Sequence, residues 1–278
     1  MSSFLVRDAS TFDVEAALAE LASEGFARLG LALNEEGLFA LRERADDIML
    51  GRTSPEPFFY QHDSETGRYE DLSRREGFTG PSAHYRKIEK LERDPLFRAW
   101  IGNPLFERIT SALAPKPIML YRAVLFNKAA KGGTSLPWHQ DGGSFWGLDR
   151  PPLVQIWTTF DDASIESGCL EIVPGSHRAG LATPLGGVIP DEVIGPARAE
   201  ERCIKVPAKA GEVILIHNDV WHRSGTNATE NPRRALTVCY LRGDTRCTRK
   251  RKAPRVFPTI FEAQREPSLA LDQRSALE

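Results

Sequence analysis

The segment "LPWHQD" at residues 136–141 sets His139 and Asp141 two positions apart. In an extended strand those side chains share a face. An imidazole nitrogen and a carboxylate oxygen then reach one point in space, which suits a metal ion and equally an ordinary His–Asp hydrogen bond. A third ligand has to come from another part of the chain. The chain has 6 histidines, and His217 and His222 both lie in "GEVILIHNDVWHRSGTNATENPRRALTVCYL", residues 211–241. Two imidazoles and one carboxylate, as HxD followed by a distant His, match the facial triad of non-haem Fe(II) enzymes. Such a triad leaves open positions on an octahedral ion for a bidentate 2-oxo acid and for O2. The far carboxylate of that co-substrate needs a cation, and a guanidinium fork fits it. Arg233 and Arg234 head the next strand-like run, and Ser224 can add a hydroxyl donor. Strand alternation sends one of the two arginines inward, and spacing alone does not choose which.

These residues must be positioned by sheets. "PIMLYRAVLFN", "LVQIWTTF", "CLEIVPG", "CIKVPA", "EVILIH" and "RALTVCYL" are short, rich in β-branched and aromatic residues, and bounded by Gly, Pro, Asp or Asn. No helical pattern separates most of them, so the expectation is an antiparallel double-sheet jelly roll of the cupin type. The first third reads as helical. Val14, Leu18 and Leu21 mark one helix face, and Asn34 can cap a second helix whose stripe is Leu38, Leu41, Ala45 and Ile48. Between them "FARLGLAL" reads as extended. "RDPLF" and "GNPLF" repeat one device, with Asp94 and Asn103 as caps and Pro95 and Pro104 in the first turn, predicting helices over 95–101 and 104–113. Residues 52–92 show no period and suggest a lid or binding segment. "RKIEKLERDP" within it reads as a charged amphipathic helix. The domain reading is therefore a single unit, 1–278: mainly helical over 1–115, jelly-roll core over 117–242, and a C-terminal extension over 243–278.

Composition bounds the function. The 278 residues are 41% hydrophobic with a formal net charge of −2, so no electrostatic footprint for nucleic acid or a membrane surface is present. Cys169, Cys203, Cys239 and Cys247 have no CxxC spacing, which fits reduced thiols. The opening "MSSFLVRDAS" lacks a basic stretch followed by an apolar run, and no stretch approaches a membrane span. A cytoplasmic location is expected. The basic run "RCTRKRKAPR" reads as a solvated segment.

Three motifs in order, "WHQD" at 138–141, "SGCLEIVPGSH" at 167–177 and "WHRSGTNATENPRRA" at 221–235, resemble the phytanoyl-CoA dioxygenase family. The resemblance covers about 117–242 and extends more loosely over the N-terminal helices. It implies a double-stranded β-helix, with Fe(II), 2-oxoglutarate and O2 as cofactors. It implies the ligand set His139, Asp141 and His222, with His217 a packed residue. By the same resemblance Arg233 grips 2-oxoglutarate, Ser224 supports it and Trp157 lies beside it. Asn127 stands where some relatives use Lys, and the neighbouring Lys128 can substitute. His177 is expected to be structural, and Gly168 and Gly175 to serve turns. Halogenating relatives of this chemistry replace the carboxylate ligand with a small residue. Asp141 is present, so hydroxylation of an aliphatic C–H with release of succinate and CO2 is the expected outcome.

The substrate is expected to be a small molecule. Trp146, Gln155 and Arg122 can face it, as can Tyr60, His84 and Arg86. Arg122 or Arg86 can recognise an anionic group, and each can equally be a surface charge. Two other functions use the same residues: a hydrolase with a zinc-type His2Asp site, and a non-catalytic jelly-roll binding module. Oligomeric state is not legible.

Overall fold

The structure, a computed structural model, describes residues 5–72, 77–250 and 254–263. Thirteen strands appear among the described residues. They are β1 (Phe26–Leu31), β2 (Phe59–His62), β3 (Tyr85–Glu89), β4 (Ile118–Lys128), β5 (Leu136–Gln140), β6 (Val154–Thr159) and β7 (Leu170–Ile172), then β8 (Gly187–Val188), β9 (Ile204–Val206), β10 (Glu212–Ile216), β11 (His222–Ser224), β12 (Arg233–Arg242) and β13 (Thr259–Phe261). They form two antiparallel sheets. The large one runs β1-β10-β6-β12-β4-β3-β2, with β13 also paired to β4, and the small one runs β8-β5-β11-β7-β9. This is the expected mainly-β double-stranded β-helix. All six residues of β6 are buried, because one face of the large sheet meets the small sheet and the other meets helices.

Helices α1 (Val14–Glu24), α2 (Glu35–Met49), α3 (Pro95–Ile101) and α4 (Pro104–Leu113) supply that outer layer. α2, α3 and α4 start where the cap residues predict. The Asn34 carboxamide oxygen accepts from the Gly37 amide, Asp94 accepts from Leu96 and Phe97, and the Asn103 oxygen accepts from Phe106. Each satisfies amides that the first turn leaves without helical partners. Leu41, Ala45 and Ile48 of α2, Phe97 and Trp100 of α3 and Ile109 of α4 pack against Leu236, Val238 and Tyr240 from the outer face of β12. Between the sheets a second cluster joins Trp157, Ile214, Ile216 and Ala235 to Leu170, Ile172 and Val206. Among the described residues, no helix is long and apolar enough to cross a membrane.

One expectation needs correction, and two others gain detail. The N-terminal part, read as mainly helical with "FARLGLAL" extended, forms β1 at that segment and adds β2 and β3, so that it extends the large sheet at both its edges. The segment "RKIEKLERDP" is not a helix. Its first residues form β3, paired to β4 through Lys87↔Phe126 and Glu89↔Val124, and Leu91–Arg93 make one 3-10 turn. Burial alternates over four residues, with Arg86 and Ile88 buried and Lys87 and Glu89 half-buried, too briefly to register against the surrounding charge. The C-terminal extension returns to the sheet, with Thr259 opposite Met119 of β4. Residues 251–253 of the basic run lie outside the described residues.

Candidate metal centre and co-substrate pocket

The small sheet places the three expected ligands. β11 lies between β5 and β7, and its first residue, His222, is the direct cross-strand partner of His139. The two rings sit 3.9 Å apart, centroid to centroid. Asp141 follows the end of β5, where its amide donates to the Asn218 carbonyl and keeps the chain extended. Ligand atoms of His139, Asp141 and His222 all lie within 4.8 Å of one another.

Hydrogen bonds decide which imidazole nitrogens are available. His139 Nδ1 is 2.9 Å from the Pro137 carbonyl and His222 Nδ1 is 3.0 Å from the Val220 carbonyl. A carbonyl oxygen only accepts, so both Nδ1 atoms carry protons and both Nε2 atoms present lone pairs. That is the tautomer a metal-binding imidazole needs. Burial, aided by the neighbouring His222, pushes the His139 pKa down to about 3, which keeps the ring neutral at physiological pH. Burial opposes the charge on Asp141. The His222 imidazole, with its Nε2 3.6 Å from Oδ2, the neighbouring His139 ring and the Arg122 guanidinium outweigh that effect and hold the carboxyl below the usual range. Gln155 Nε2 donates to Asp141 Oδ2 at 2.6 Å, and Arg122 lies 3.6 Å from Oδ1. Two imidazoles held through Nδ1 by backbone carbonyls and one carboxylate, convergent on one point, fit a ferrous ion by the chemistry of the donor set.

The large sheet supplies the facing wall. Alternation along β12 turns Arg233 and Thr237 into the pocket with the triad, while Arg234 points to the helical layer. There Arg234 donates through Nε to Asp161 and through Nη1 to Asp46 of α2. Arg233 is 3% exposed. Its Nη2 donates to the Gly168 carbonyl at 2.6 Å, and its Nε is buried without a protein partner. Burial lowers its pKa to about 10, so it remains a cation. Gly168 has φ +74°, and a Cβ there would stand 2.5 Å from the Gly225 carbonyl oxygen. Only glycine lets the strand that carries His222 pass so close.

Lys128 of β4 is the cross-strand partner of Arg233. It is buried, donates to the Thr134 carbonyl, and is pulled well below the ordinary lysine range by burial and by Arg233. Trp157 and Ser224 line the same pocket. Asn127 also lines it, but its amide donates to the carbonyl of Ala83, just before β3, and to that of Tyr85, the first residue of β3. The oxygen left to it is an acceptor, which does not suit a carboxylate, whereas Lys128 offers a donor at the same place.

Of the expected substrate residues, Gln155 and Arg122 reach the pocket. Trp146 stands behind Arg122, stacked on Tyr121 at 4.7 Å, with the Arg122 guanidinium 4.5 Å from its ring centre. Tyr60 is 1% exposed in the outer core, and His84 lines a separate surface groove. Arg86 does line the pocket. His217 and His177 pack against each other, ring centres 4.7 Å apart and tilted by 46°, away from the triad. Thr237 and Thr134, absent from the sequence reading, also line the site. Thr237 was within reach of that reading, because it lies four residues beyond Arg233 on the same strand face.

The family profile described as Phytanoyl-CoA dioxygenase (PhyH) matches residues 21–235. The chain belongs to the phytanoyl-CoA dioxygenase family. Relatives of this PhyH chain include a phytanoyl-CoA dioxygenase of Arabidopsis thaliana, 28% identical over 158 residues and 55% of each chain. An L-proline trans-4-hydroxylase of Streptomyces griseoviridis is 28% identical over 162 residues, 50% of this chain and 60% of its own. The chain thus spans about half the length of the curated relatives it matches. Solved structures of similar fold include EctD from S. alaskensis with 2-oxoglutarate and 5-hydroxyectoine, at TM-score 0.67 and 19% identity over 94% of this chain and 87% of that one. Another is the non-haem alpha-ketoglutarate-dependent carbocyclase SnoK from nogalamycin biosynthesis, at TM-score 0.65 and 18% identity over 87% and 88%.

Proposed function

We propose that this PhyH-family chain is a non-haem Fe(II)- and 2-oxoglutarate-dependent oxygenase that hydroxylates a C–H bond of a small molecule. The observation that carries the reading is the pair of backbone-fixed imidazole tautomers beside Asp141, faced across the pocket by the buried cation Arg233. When bound, ferrous ion with 2-oxoglutarate and O2 supplies the oxidising power, with succinate and CO2 as by-products. The chain's own residues orient and exclude water. His139, Asp141 and His222 hold the metal, and Gln155 fixes the carboxylate that faces it. Arg233, with Ser224 and Lys128, receives the far carboxylate of 2-oxoglutarate. Trp157 supplies an apolar wall.

The test is anaerobic titration of the protein with Fe(II) and 2-oxoglutarate. A weak visible charge-transfer band is expected, with succinate formed when air is admitted. A zinc-type hydrolase or a binding module gives neither, and either absence overturns the proposal. His139→Ala is expected to remove both signals.

A further inference from the structure

Four cationic side chains line the pocket, Arg86, Arg122, Lys128 and Arg233, against one carboxylate, Asp141. On the reading proposed above, much of that imbalance is accounted for. A dipositive ion, Asp141, dianionic 2-oxoglutarate and Arg233 together carry no net charge, and Lys128, whose pKa burial pulls down, already donates to the Thr134 carbonyl. Arg86 and Arg122 remain. We propose that they receive an anionic group of the substrate, an oxyanion such as a carboxylate or a phosphonate.

Arg86 lacks the charged partner that a buried cation ordinarily requires, and half-buried Arg122 has only one long contact to a carboxylate. Arg86 is 8% exposed. Its Nη1 donates to a neutral acceptor, Gln61 Oε1, at 2.9 Å. Its guanidinium lies between the rings of Tyr69 and Phe126, 5.7 and 5.9 Å from their centres. Among the described residues no carboxylate lies within ion-pair distance of it. Asp63 and Glu89 attract it from further off, and Arg122 repels it.

Arg122 has a long 3.6 Å contact to Asp141 Oδ1 and a buried Nε with no hydrogen-bond partner. Its orientation is nevertheless fixed, since the Trp146 ring lies beneath it at 4.5 Å. Trp146 is thus a positioning residue for Arg122. The two arginines come from β3 and β4, which pair with each other. They open on the same pocket as the triad, so an oxyanion bridging them leaves the rest of the molecule beside the metal ligands. Leu136, Phe126, Leu170 and Ile216 line the same pocket, beside Thr134 and Thr237, so part of the substrate's body meets an apolar wall.

Matched pairs of small molecules test this: hexanoate against hexanamide, 3-phenylpropanoate against 3-phenylpropanamide, and hexylphosphonate against its diethyl ester. Each is titrated calorimetrically under nitrogen into protein saturated with Fe(II) and 2-oxoglutarate, with the charge-transfer band monitored. In at least one pair the anion is expected to bind about tenfold more tightly than its uncharged counterpart, with the band retained. Arg86→Gln and Arg122→Gln should each reduce that ratio by about tenfold, and Arg122→Lys should restore part of it.

Ratios near one in every pair, no binding by any anion, binding that abolishes the band by displacing 2-oxoglutarate, or ratios unchanged in both Gln variants would overturn the proposal. If a variant fails to fold, the pairs measured on the unaltered chain still decide. Absence of the band before any probe is added defeats the oxygenase reading instead, so the two failures are distinct.

Discussion

Adjacent arginines at the head of β12 do opposite jobs, and the difference is measurable. Arg233 faces the pocket with an unused Nε, whereas Arg234 is committed to Asp161 and Asp46. Arg233→Ala should raise the 2-oxoglutarate KM about tenfold to a hundredfold, the worth of one charge-assisted bidentate contact. Arg234→Ala should leave that KM in place and destabilise the fold by about 2–3 kcal/mol, because Asp161 loses its buried partner. Thermal melts and steady-state kinetics on both variants check the pair, and a reversed pattern would mean that the strand faces the other way. Gln155 gives a second residue-level prediction. Its 2.6 Å hydrogen bond orients Asp141. Gln155→Leu keeps the bulk and loses that bond, so Fe(II) affinity should fall about tenfold in an anaerobic titration.

Among elements, the capped helices were the most legible from sequence and the hairpin β2–β3 the least. Asp94-Pro95 and Asn103-Pro104 announce helix starts through local chemistry, and the structure begins both helices there. Asp94 also accepts from Arg44 of α2 at 2.7 Å while 2% exposed, so it joins two helices. Asp94→Ala should cost about 2–4 kcal/mol, and Asp94→Asn should recover about 1 kcal/mol through the cap alone; chemical denaturation of the two variants separates the contributions. The hairpin was opaque because its register comes from β4, not from its own period. Asn127 holds the start of β3 by two backbone carbonyls, a contact between distant segments that no local pattern encodes. The HxD pair was legible for the opposite reason, since residues two apart on a strand face together whatever lies around them. What the sequence could not supply was the strand opposite: the register His139↔His222 depends on how β11 pairs.

For the whole molecule, the small sheet holds the metal-ligand set and the large sheet holds the cations. A ligand that engages both ties the two layers together. Saturation with Fe(II) and 2-oxoglutarate at about a hundredfold over Kd should add about 2.7 kcal/mol of stability, or roughly 5–10 °C in Tm. EDTA should reverse the shift and His139→Ala should not show it, as differential scanning fluorimetry under nitrogen can record.

The direct opposition of His139 and His222 has one more consequence. β11 is three residues long and carries a bulge between His222 and Ser224, so its alignment is set by the preceding turn at 217–221. One amino acid inserted into that turn would swivel His222 to the far side of its strand while the barrel kept its outline. The reaction could thus be silenced, in a descendant gene or at the bench, by a single added codon that removes no ligand at all.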